Sequence, residues 1–193
     1  MFNYDDTDIQ FLLDQAGREV LVNDSPRQAL ITNPAISEQE ERYIHTLERV
    51  CRGDTVEFDN VGYICITESI TKRNGKYKAL IRHCNYPLEL PGEEVCVIVG
   101  ENDFGDPLYE CTNGESISIP AIVDNKSFSI DLGNAINVPN NQIIVTLQNN
   151  ETNSDTFTLN YQFDVMESKW KVVNRDLSKN GLLILTCEFV TAS

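Results

Sequence analysis

An Asn-Gly pair between two apolar runs occurs twice in this chain, and it restricts the fold more than any other feature. The first pair lies within residues 63–86 and the second within residues 170–189. Each segment opens with an aromatic residue and an apolar run, and it closes with an apolar run, a Cys, one polar residue and an aromatic. Asn and Gly tolerate the positive φ that tight hairpin turns require. Both segments are therefore predicted to be β-hairpins.

The two hairpins close two similar halves of the chain. In each half a short run of Ala and two aliphatic residues, beginning at Ala29 and at Ala121, precedes a long excursion and then the hairpin. We interpret this order as an internal duplication, with coincidence between two ordinary hairpins as the alternative. The predicted fold is mainly β, with two tandem small barrel-like or sandwich-like halves over residues 1–90 and 91–193. The boundary is placed at the Pro- and Gly-containing stretch 87–93.

Other segments predict the remaining elements. Residues 5–16 place several aliphatic side chains on one helical face, and Gly17 follows as a stop, so a short N-terminal helix is expected. Residues 18–33 predict a hairpin. Residues 156–165 alternate between apolar and polar types, which predicts a half-buried strand after a polar loop at 148–155.

The segment 34–51 is long for a connection between strands and is rich in charge. Ser37 followed by Glu40 matches a capping box, so a helix is possible here. Arg42 and Arg49 would then share a helix face, which is either solvated or in contact with an acidic neighbouring subunit. A segment of this kind projects from a small barrel, and projecting loops on rigid scaffolds often carry function.

The charge balance restricts the partners. Thirty acidic against fifteen basic residues give a net charge of −15, which disfavours a general electrostatic grip on nucleic acid. An acidic wall would suit a channel through which DNA passes without adhering, although solubility alone also accounts for acidic charge.

The cysteines and the first residues bear on location. Six cysteines lie far apart, without a paired C-x-x-C motif, so buried thiols are expected rather than disulfides or a zinc site. The chain begins MFNYDD, which lacks the basic and apolar regions of a secretory signal. Its apolar runs are shorter than a membrane helix requires. We therefore expect a protein that is neither secreted nor membrane-embedded.

A catalytic constellation is not evident in the sequence. His45 and His83 lack surrounding motifs, and a nucleophile elbow, a P-loop and a dinucleotide fingerprint are missing. We expect a non-enzyme without a cofactor or metal. The tripeptide RGD at 52–54 is interpreted as a turn before a strand rather than as an adhesion motif.

Several stretches resemble the head-completion (head-closure or stopper) proteins in the head-to-tail connector, or neck, of long-tailed bacteriophages. They are ERYIHTLER at 41–49, RGD at 52–54, KYKALIRHCNY at 76–86, the opening helix with ALITN at 29–33, and WKVV with GLLILTC at 170–187. The resemblance is best over residues 5–86 and fainter over residues 120–190.

This resemblance implies a structural virion protein, assembled in the host cytoplasm. Its small barrel would form a homo-oligomeric ring of about six or twelve copies between the portal or adaptor protein and a tail-side neck or tail-terminator protein. The ring would help to close the DNA-filled head and connect the tail. A simple stopper resembles one half of this chain only, which leaves open which half faces the channel.

The resemblance also assigns candidate site residues. In this class a long loop of the barrel reaches into the channel and contacts packaged DNA or a partner, and the matching segment here is 34–51. The candidate contact residues are Ile36, Glu38, Glu41, Arg42, Tyr43, His45 and Arg49.

A second function remains open from the strand pattern alone. An immunoglobulin-like or carbohydrate-binding β-sandwich would have similar strand counts and turn spacing. Such a module is expected to expose aromatic side chains on a flat face. The single tryptophan, Trp170, begins a predicted hairpin, where we expect it to pack into the core.

Overall fold

A computed structural model describes residues 7–35, 39–71, 76–90, 92, 94–102, 104–125 and 142–190. The helices are α1 (Thr7–Ala16) and α2 (Glu151–Thr156). The strands are β1 (Arg18–Val22), β2 (Ser25–Thr32), β3 (Glu41–Thr46), β4 (Thr55–Phe58), β5 (Val61–Cys65), β6 (Ile70–Thr71), β7 (Tyr77–His83), β8 (Tyr86–Leu90), β9 (Glu94–Glu101), β10 (Pro107–Asn113), β11 (Ile117–Asn125), β12 (Gln142–Gln148), β13 (Gln162–Val165), β14 (Ser168–Asp176) and β15 (Leu182–Phe189). The protein is mainly β, with two tandem halves, as the sequence predicted.

The first half is a closed six-stranded barrel. Its strands follow the order β3-β2-β1-β4-β5-β7, and β3 pairs with β7 to close it. The predicted hairpin of residues 18–33 is confirmed as β1 and β2. Asn23 and Asp24 between these strands have φ of 46° and 62°, the positive values that a two-residue hairpin turn requires. The barrel interior contains Val20, Val22, Ala29, Ile44, Val56, Ala79 and Ile81.

The hairpin predicted at residues 63–86 is present with an interruption. Strands β5 and β7 pair antiparallel, with Tyr63 opposite His83. The short strand β6 then pairs with the beginning of β7, where Ile70 lies opposite Lys78. The Asn-Gly turn itself lies outside the described residues.

The second half is a nearly closed barrel with strand order β13-β14-β15-β12-β11-β8. The two end strands are linked where the backbone N–H of Met166 donates to the Tyr86 hydroxyl at 3.0 Å. The hairpin predicted at residues 170–189 is confirmed as β14 and β15. The interior is apolar, and each fully buried Leu or Phe contributes about 1.5–3 kcal/mol of transfer free energy. The core includes Leu88, Val123, Val145, Leu147, Phe157, Phe163, Val172, Leu183 and Leu185.

Both barrels share one circular strand order, which supports the interpretation as a duplication. Strands β1, β2, β3, β4, β5 and β7 of the first correspond to β8, β11, β12, β13, β14 and β15 of the second. The Ala-led runs at Ala29 and Ala121 fall on the corresponding strands β2 and β11. The halves differ at one connection above all. Two residues join β1 to β2, whereas the hairpin β9–β10 is inserted between β8 and β11.

Two predictions about local structure are wrong. Within the described part of 34–51, residues Glu41–Thr46 form strand β3 in the barrel wall, so the helix considered there is absent. Residues 41–46 alternate between inward and outward side chains and pair with strands on both sides, which outweighs the capping signal. The strand predicted at 156–165 begins only at Gln162, because α2 extends to Thr156 and a turn with Asn160 at φ 69° follows it.

The N-terminal helix is confirmed, although its predicted apolar face is buried only in part. Of the aliphatic residues predicted to share that face, Leu13 is buried, whereas Leu12 and Ala16 are exposed. The Gly17 N–H donates to the Leu13 carbonyl at 2.7 Å and ends the helix as expected. Among the described helices, neither is long and apolar enough to span a membrane.

The two barrels meet at an apolar seam with polar ties. Ile64, Ile122 and Leu182 are buried together between them. Arg82 of the first barrel forms a bidentate ion pair with Asp124 of the second, at 2.8 and 2.5 Å.

A linker of two residues, Cys84 and Asn85, connects the last strand of the first barrel to the first strand of the second. The Asn85 side chain donates to the Val123 carbonyl at 2.9 Å and accepts from the Val123 N–H at 2.8 Å. The side chain of the connection therefore fixes it to a strand of the second barrel.

Candidate functional site

Five of the seven candidate contact residues lie in the described structure, and three of them, Glu41, Tyr43 and His45, alternate onto the outer surface of the first barrel. Tyr43 and His45 point outward from β3, whereas Ile44 and Thr46 are buried. Lys78, opposite His45 on β7, places its ammonium 3.6 Å from the centre of the Tyr43 ring. This distance is that of a cation–π contact.

The other four candidates do not extend this row of Glu41, Tyr43 and His45. Arg42 donates to the backbone carbonyl of Glu41 at 2.9 Å. Arg49 follows β3 and pairs with Glu68 at 3.4 Å, so the expectation that it shares a helix face with Arg42 is wrong. Ile36 and Glu38 lie outside the described residues.

His45 is held neutral at physiological pH by its surroundings. Its Nε2 lies 3.0 Å from the Thr32 hydroxyl, and its Nδ1 is buried without a hydrogen-bond partner among the described groups. Burial lowers the pKa of His45 to about 4, assisted by the positive charges of Lys76 and Lys78. The His45 surroundings are therefore positive in electrostatic potential.

A row of side chains across three strands completes this surface. His45 lies opposite Lys78, and Lys78 lies opposite Ile70 on β6. Directly opposed residues share one face of a sheet, and Ile70 is 61% exposed. We call the surface formed by Tyr43, His45, Ile70, Lys76 and Lys78 the basic face.

The second candidate surface is the inserted hairpin β9–β10, which the sequence analysis did not single out. It forms a separate two-stranded sheet, and its large apolar side chains are mostly exposed. Ile98 is 63% exposed, Tyr109 61% and Phe104, at the tip, 91%. Exposed contiguous apolar surface of this kind marks interaction sites.

Both faces of the hairpin are apolar. Val95, Val97 and Val99 alternate along one face of β9. On the opposite face Ile98 lies across from Tyr109, next to the Cys96–Cys111 disulfide that joins the strands. Packing against the protein's own core would bury only one of these two faces. A hairpin that is apolar on both faces is therefore suited to contact with another molecule.

The disulfide corrects the expectation that every cysteine is a buried thiol. Cys65 and Cys187 are buried thiols as expected, and burial raises the pKa of each to about 12. Cys51 is free but exposed. Cys96 and Cys111 pair because the hairpin register sets them directly opposite each other, a relationship that sequence spacing does not display.

Other chemistry is sparse in the part of the chain that the structure describes. Its His, Cys, Asp and Glu residues form no group able to hold a metal ion. The RGD tripeptide lies in a turn, as predicted. Its Gly53 is buried, and the Asp54 carboxylate accepts from the Cys51 N–H at 2.7 Å. Surface clefts of about 300–380 Å³ lie beside the first barrel and near the seam.

Domain models of one protein family cover nearly the whole chain. The YomX N-terminal domain matches residues 1–83, and the YomX C-terminal domain matches residues 54–188. The chain belongs to the YomX family. YomX is a phage-derived family, so the chain is a phage-associated protein. The matched ranges overlap over 54–83, the part of the YomX chain that contains strands β4 to β7.

Comparisons beyond the YomX family are uninformative. Curated proteins give no significant match. One solved structure, the K. pneumonia MrkH–c-di-GMP complex, aligns at 11% sequence identity and a TM-score of 0.21. The alignment covers 97% of this chain and 84% of the MrkH chain. A superposition of this quality carries no argument about fold or function.

Proposed function

We propose that this protein is a non-catalytic structural component of the phage neck. It forms a ring between the portal or adaptor protein and the tail, helps to close the DNA-filled head, and connects the tail. The supporting observation is the inserted hairpin β9–β10, a projecting element whose apolar faces require a protein partner. The phage-derived family and the resemblance of residues 41–54 and 76–86 to head-completion proteins point in the same direction.

The barrels themselves support a scaffolding role. Their interiors are filled by apolar side chains such as Ile44, Ile81, Val145 and Leu185. A filled barrel offers no internal ligand cavity, in contrast to larger barrels that enclose a ligand. The two barrels are joined by a buried seam and present their remaining surfaces to partners.

The net charge of −15 suits a position around the DNA channel. A negative wall repels phosphate, so DNA can pass without being held by the counterion release that drives non-specific binding. The positive potential is confined to surfaces such as the basic face, which leaves room for local contact with DNA or with an acidic protein.

The carbohydrate-binding alternative finds support in the exposed Phe104 and Tyr109 of the hairpin but not in the single tryptophan. Trp170 packs edge-on against Phe189, and its indole N–H donates to the Val165 carbonyl at 3.1 Å. Its ring is thus part of the second barrel rather than a platform for stacking a sugar. A glycan array is the measurement that would restore this alternative.

Deleting the gene from the phage and imaging the particles tests the neck function. We expect DNA-filled heads that leak and tails that remain separate, and we expect gold-labelled antibody to bind wild-type particles at the head–tail junction.

The chain itself supplies a matched variant. Replacing residues 91–116 by an Asn-Asp turn copied from the β1–β2 connection keeps both barrels and removes the hairpin. It should fold but fail to restore joined particles. Normal particles from the deletion strain would refute the proposal.

A further inference from the structure

We propose that the hairpin β9–β10 of one copy docks on the basic face of the next copy, so that the chain assembles head to tail. This inference rests on the ring of the proposed function and names the two surfaces that build it. The occupant of each surface is thus a second copy of this chain.

Charge is segregated along the sequence in a way that makes the chain complementary to itself. Residues 86–125 include many Asp and Glu but no Lys, Arg or His. Residues 69–88 include Lys, Arg and His but no Asp or Glu. The first range contains the hairpin, and the second contains β6 and β7 of the basic face. In a chain with a net charge of −15, a purely basic stretch is the natural partner for a purely acidic one.

The hairpin carries exposed acidic side chains among its apolar ones. Glu101 and Asp106 lie at the tip end and Glu110 within β10, all three exposed. Between them lie exposed apolar residues, with Ile98 and Tyr109 paired across the strands. The hairpin therefore needs a surface with an apolar centre and positive charges beside it.

The basic face has that composition. Ile70 is exposed on β6, and β6 is the last described strand on its side of the sheet, so its outer edge is not paired within the described residues. Lys78 lies directly opposite Ile70, and Lys76 precedes Lys78 by two residues. Both ammonium groups lie close enough to act electrostatically on His45. An exposed strand edge next to exposed apolar side chains invites a further strand.

Head-to-tail contact is favoured over symmetric contact between two hairpins. Two copies of the hairpin would bring Glu101, Asp106 and Glu110 against the same residues of the partner, which repels. Contact between two different surfaces of the same chain is heterologous, and repetition of a heterologous contact closes into a ring when the rotation permits.

Two charge-reversed variants of the full chain test the contact directly. The first is E101K/E110K, which changes the hairpin, and the second is K76E/K78E, which changes the basic face. Each alone should associate at least about tenfold more weakly than wild type in sedimentation velocity. When mixed, the intact hairpin of K76E/K78E can still dock on the intact basic face of E101K/E110K. The mixture should therefore form one-to-one heterodimers and no larger species. The control E19K/D164K reverses two exposed acidic residues outside both surfaces and should associate like wild type.

Zero-length carbodiimide cross-linking extends the test to weak association. A mixture of ¹⁴N- and ¹⁵N-labelled wild-type protein should yield peptides that join a carboxylate of Glu101, Asp106 or Glu110 to the ammonium of Lys76 or Lys78, with one label on each side. Cross-links that join the hairpin carboxylates only to lysines outside the basic face, or oligomers unaffected by both variants, would overturn the docking proposal.

The outcomes separate this inference from the proposed function. If the protein lies at the head–tail junction but the variants assemble normally, the docking surfaces are wrong and the neck function stands. If the protein is missing from the junction but the mixed variants form heterodimers, the docking contact stands and the neck function falls. Wild-type protein that gives neither oligomers nor labelled cross-links refutes the docking contact.

Discussion

Gly53 and Gly181 lie backbone against backbone where the two barrels meet. A Cβ added to Gly53 would overlap the Gly181 carbonyl, and a Cβ added to Gly181 would overlap the Arg52 carbonyl. Both glycines have positive φ, of 91° and 88°. At each of the two positions glycine is needed for two reasons. It adopts the positive φ, and it leaves room for the close approach of the two backbones.

Substitution of either seam glycine should destabilise the protein strongly. Gly53→Ala adds the cost of positive φ, about 1–2 kcal/mol, to a clash with backbone that cannot move aside cheaply. We expect a loss of about 3 kcal/mol or more in the free energy of unfolding, measured by urea denaturation. Gly181→Ala should behave alike.

Two other glycines serve as controls for this prediction. Gly105 has φ of 84° but nothing within 4 Å of an added Cβ, so Gly105→Ala should show only the conformational cost. Gly100 has neither constraint, and Gly100→Ala should be nearly neutral. Equal effects at Gly53 and Gly105 would show that the close approach at the seam carries no free energy.

The Arg82–Asp124 pair should couple the two barrels energetically. Its side chains are 17% and 36% exposed, and its geometry is bidentate. A double-mutant cycle with Arg82→Met and Asp124→Asn should give a coupling free energy of about 1–2 kcal/mol, because charge-assisted bidentate bonds are the strong ones.

Arg18 and Asp59 form the matched exposed pair, with side chains 63% and 64% exposed and one contact at 3.1 Å. The same cycle there should give at most about 0.5 kcal/mol. A larger coupling free energy at Arg18–Asp59 than at Arg82–Asp124 would contradict the prediction that the ion pair between the barrels is the stronger one.

Reduction of the Cys96–Cys111 disulfide should loosen the hairpin without unfolding the barrels. An isolated two-stranded hairpin is marginal in water, and a bond that closes a loop of about 15 residues contributes about 3 kcal/mol. Hydrogen exchange of C96S/C111S should therefore show faster exchange within 94–113 and unchanged exchange in β1 and β14. Exchange rates in 94–113 that match wild type would show that the hairpin is ordered by its strands alone. Cys51→Ser, at the exposed free thiol, is the control.

His45 should make stability depend on pH in the mildly acidic range. Its ordinary pKa of 6.5 is lowered to about 4 in the folded protein by burial and then by Lys76 and Lys78. Between these values the unfolded chain binds the proton and the folded chain does not, so stability is complete above about pH 6.5 and is lost as pH falls toward 4. The loss should be smaller in His45→Gln, as measured by urea denaturation at several pH values. In an NMR titration, K76M/K78M should raise the pKa of His45.

Local turn chemistry made much of the architecture predictable. The positive φ of the two-residue turn between β1 and β2 is met by Asn23 and Asp24, and Gly181 supplies positive φ at the end of the longer β14–β15 connection. The apolar runs beside these turns pair as expected. The Ala-led runs and the aromatic-led hairpins also fall on corresponding strands of two barrels with one circular order. Pattern and topology agree because each hairpin buries one face in the interior of a small barrel.

Long-range pairing explains what the sequence did not reveal. Strand β3 forms because β2 and β7 supply hydrogen bonds on both sides, and this outweighs the local capping signal of Ser37 and Glu40. The Cys96–Cys111 bond depends on strand register, which no spacing rule provides. The basic face was predicted only through Tyr43 and His45, since Lys78 and Ile70 join it across strands. The separation of acidic and basic residues along 69–125 was the available signal for its partner hairpin.

The hydrogen bonds of Asn85 restrict the length of the linker between the two barrels. Its carboxamide donates to and accepts from the Val123 backbone, so it acts as a substitute peptide group where the main chain turns away from one barrel toward the other. One residue added or removed between His83 and Tyr86 would move this group off Val123 and rotate the second barrel relative to the first. The orientation of one barrel against the other is therefore set by a linker of fixed length, whereas the connection that is a two-residue turn in the first half accommodates the whole hairpin β9–β10 in the second.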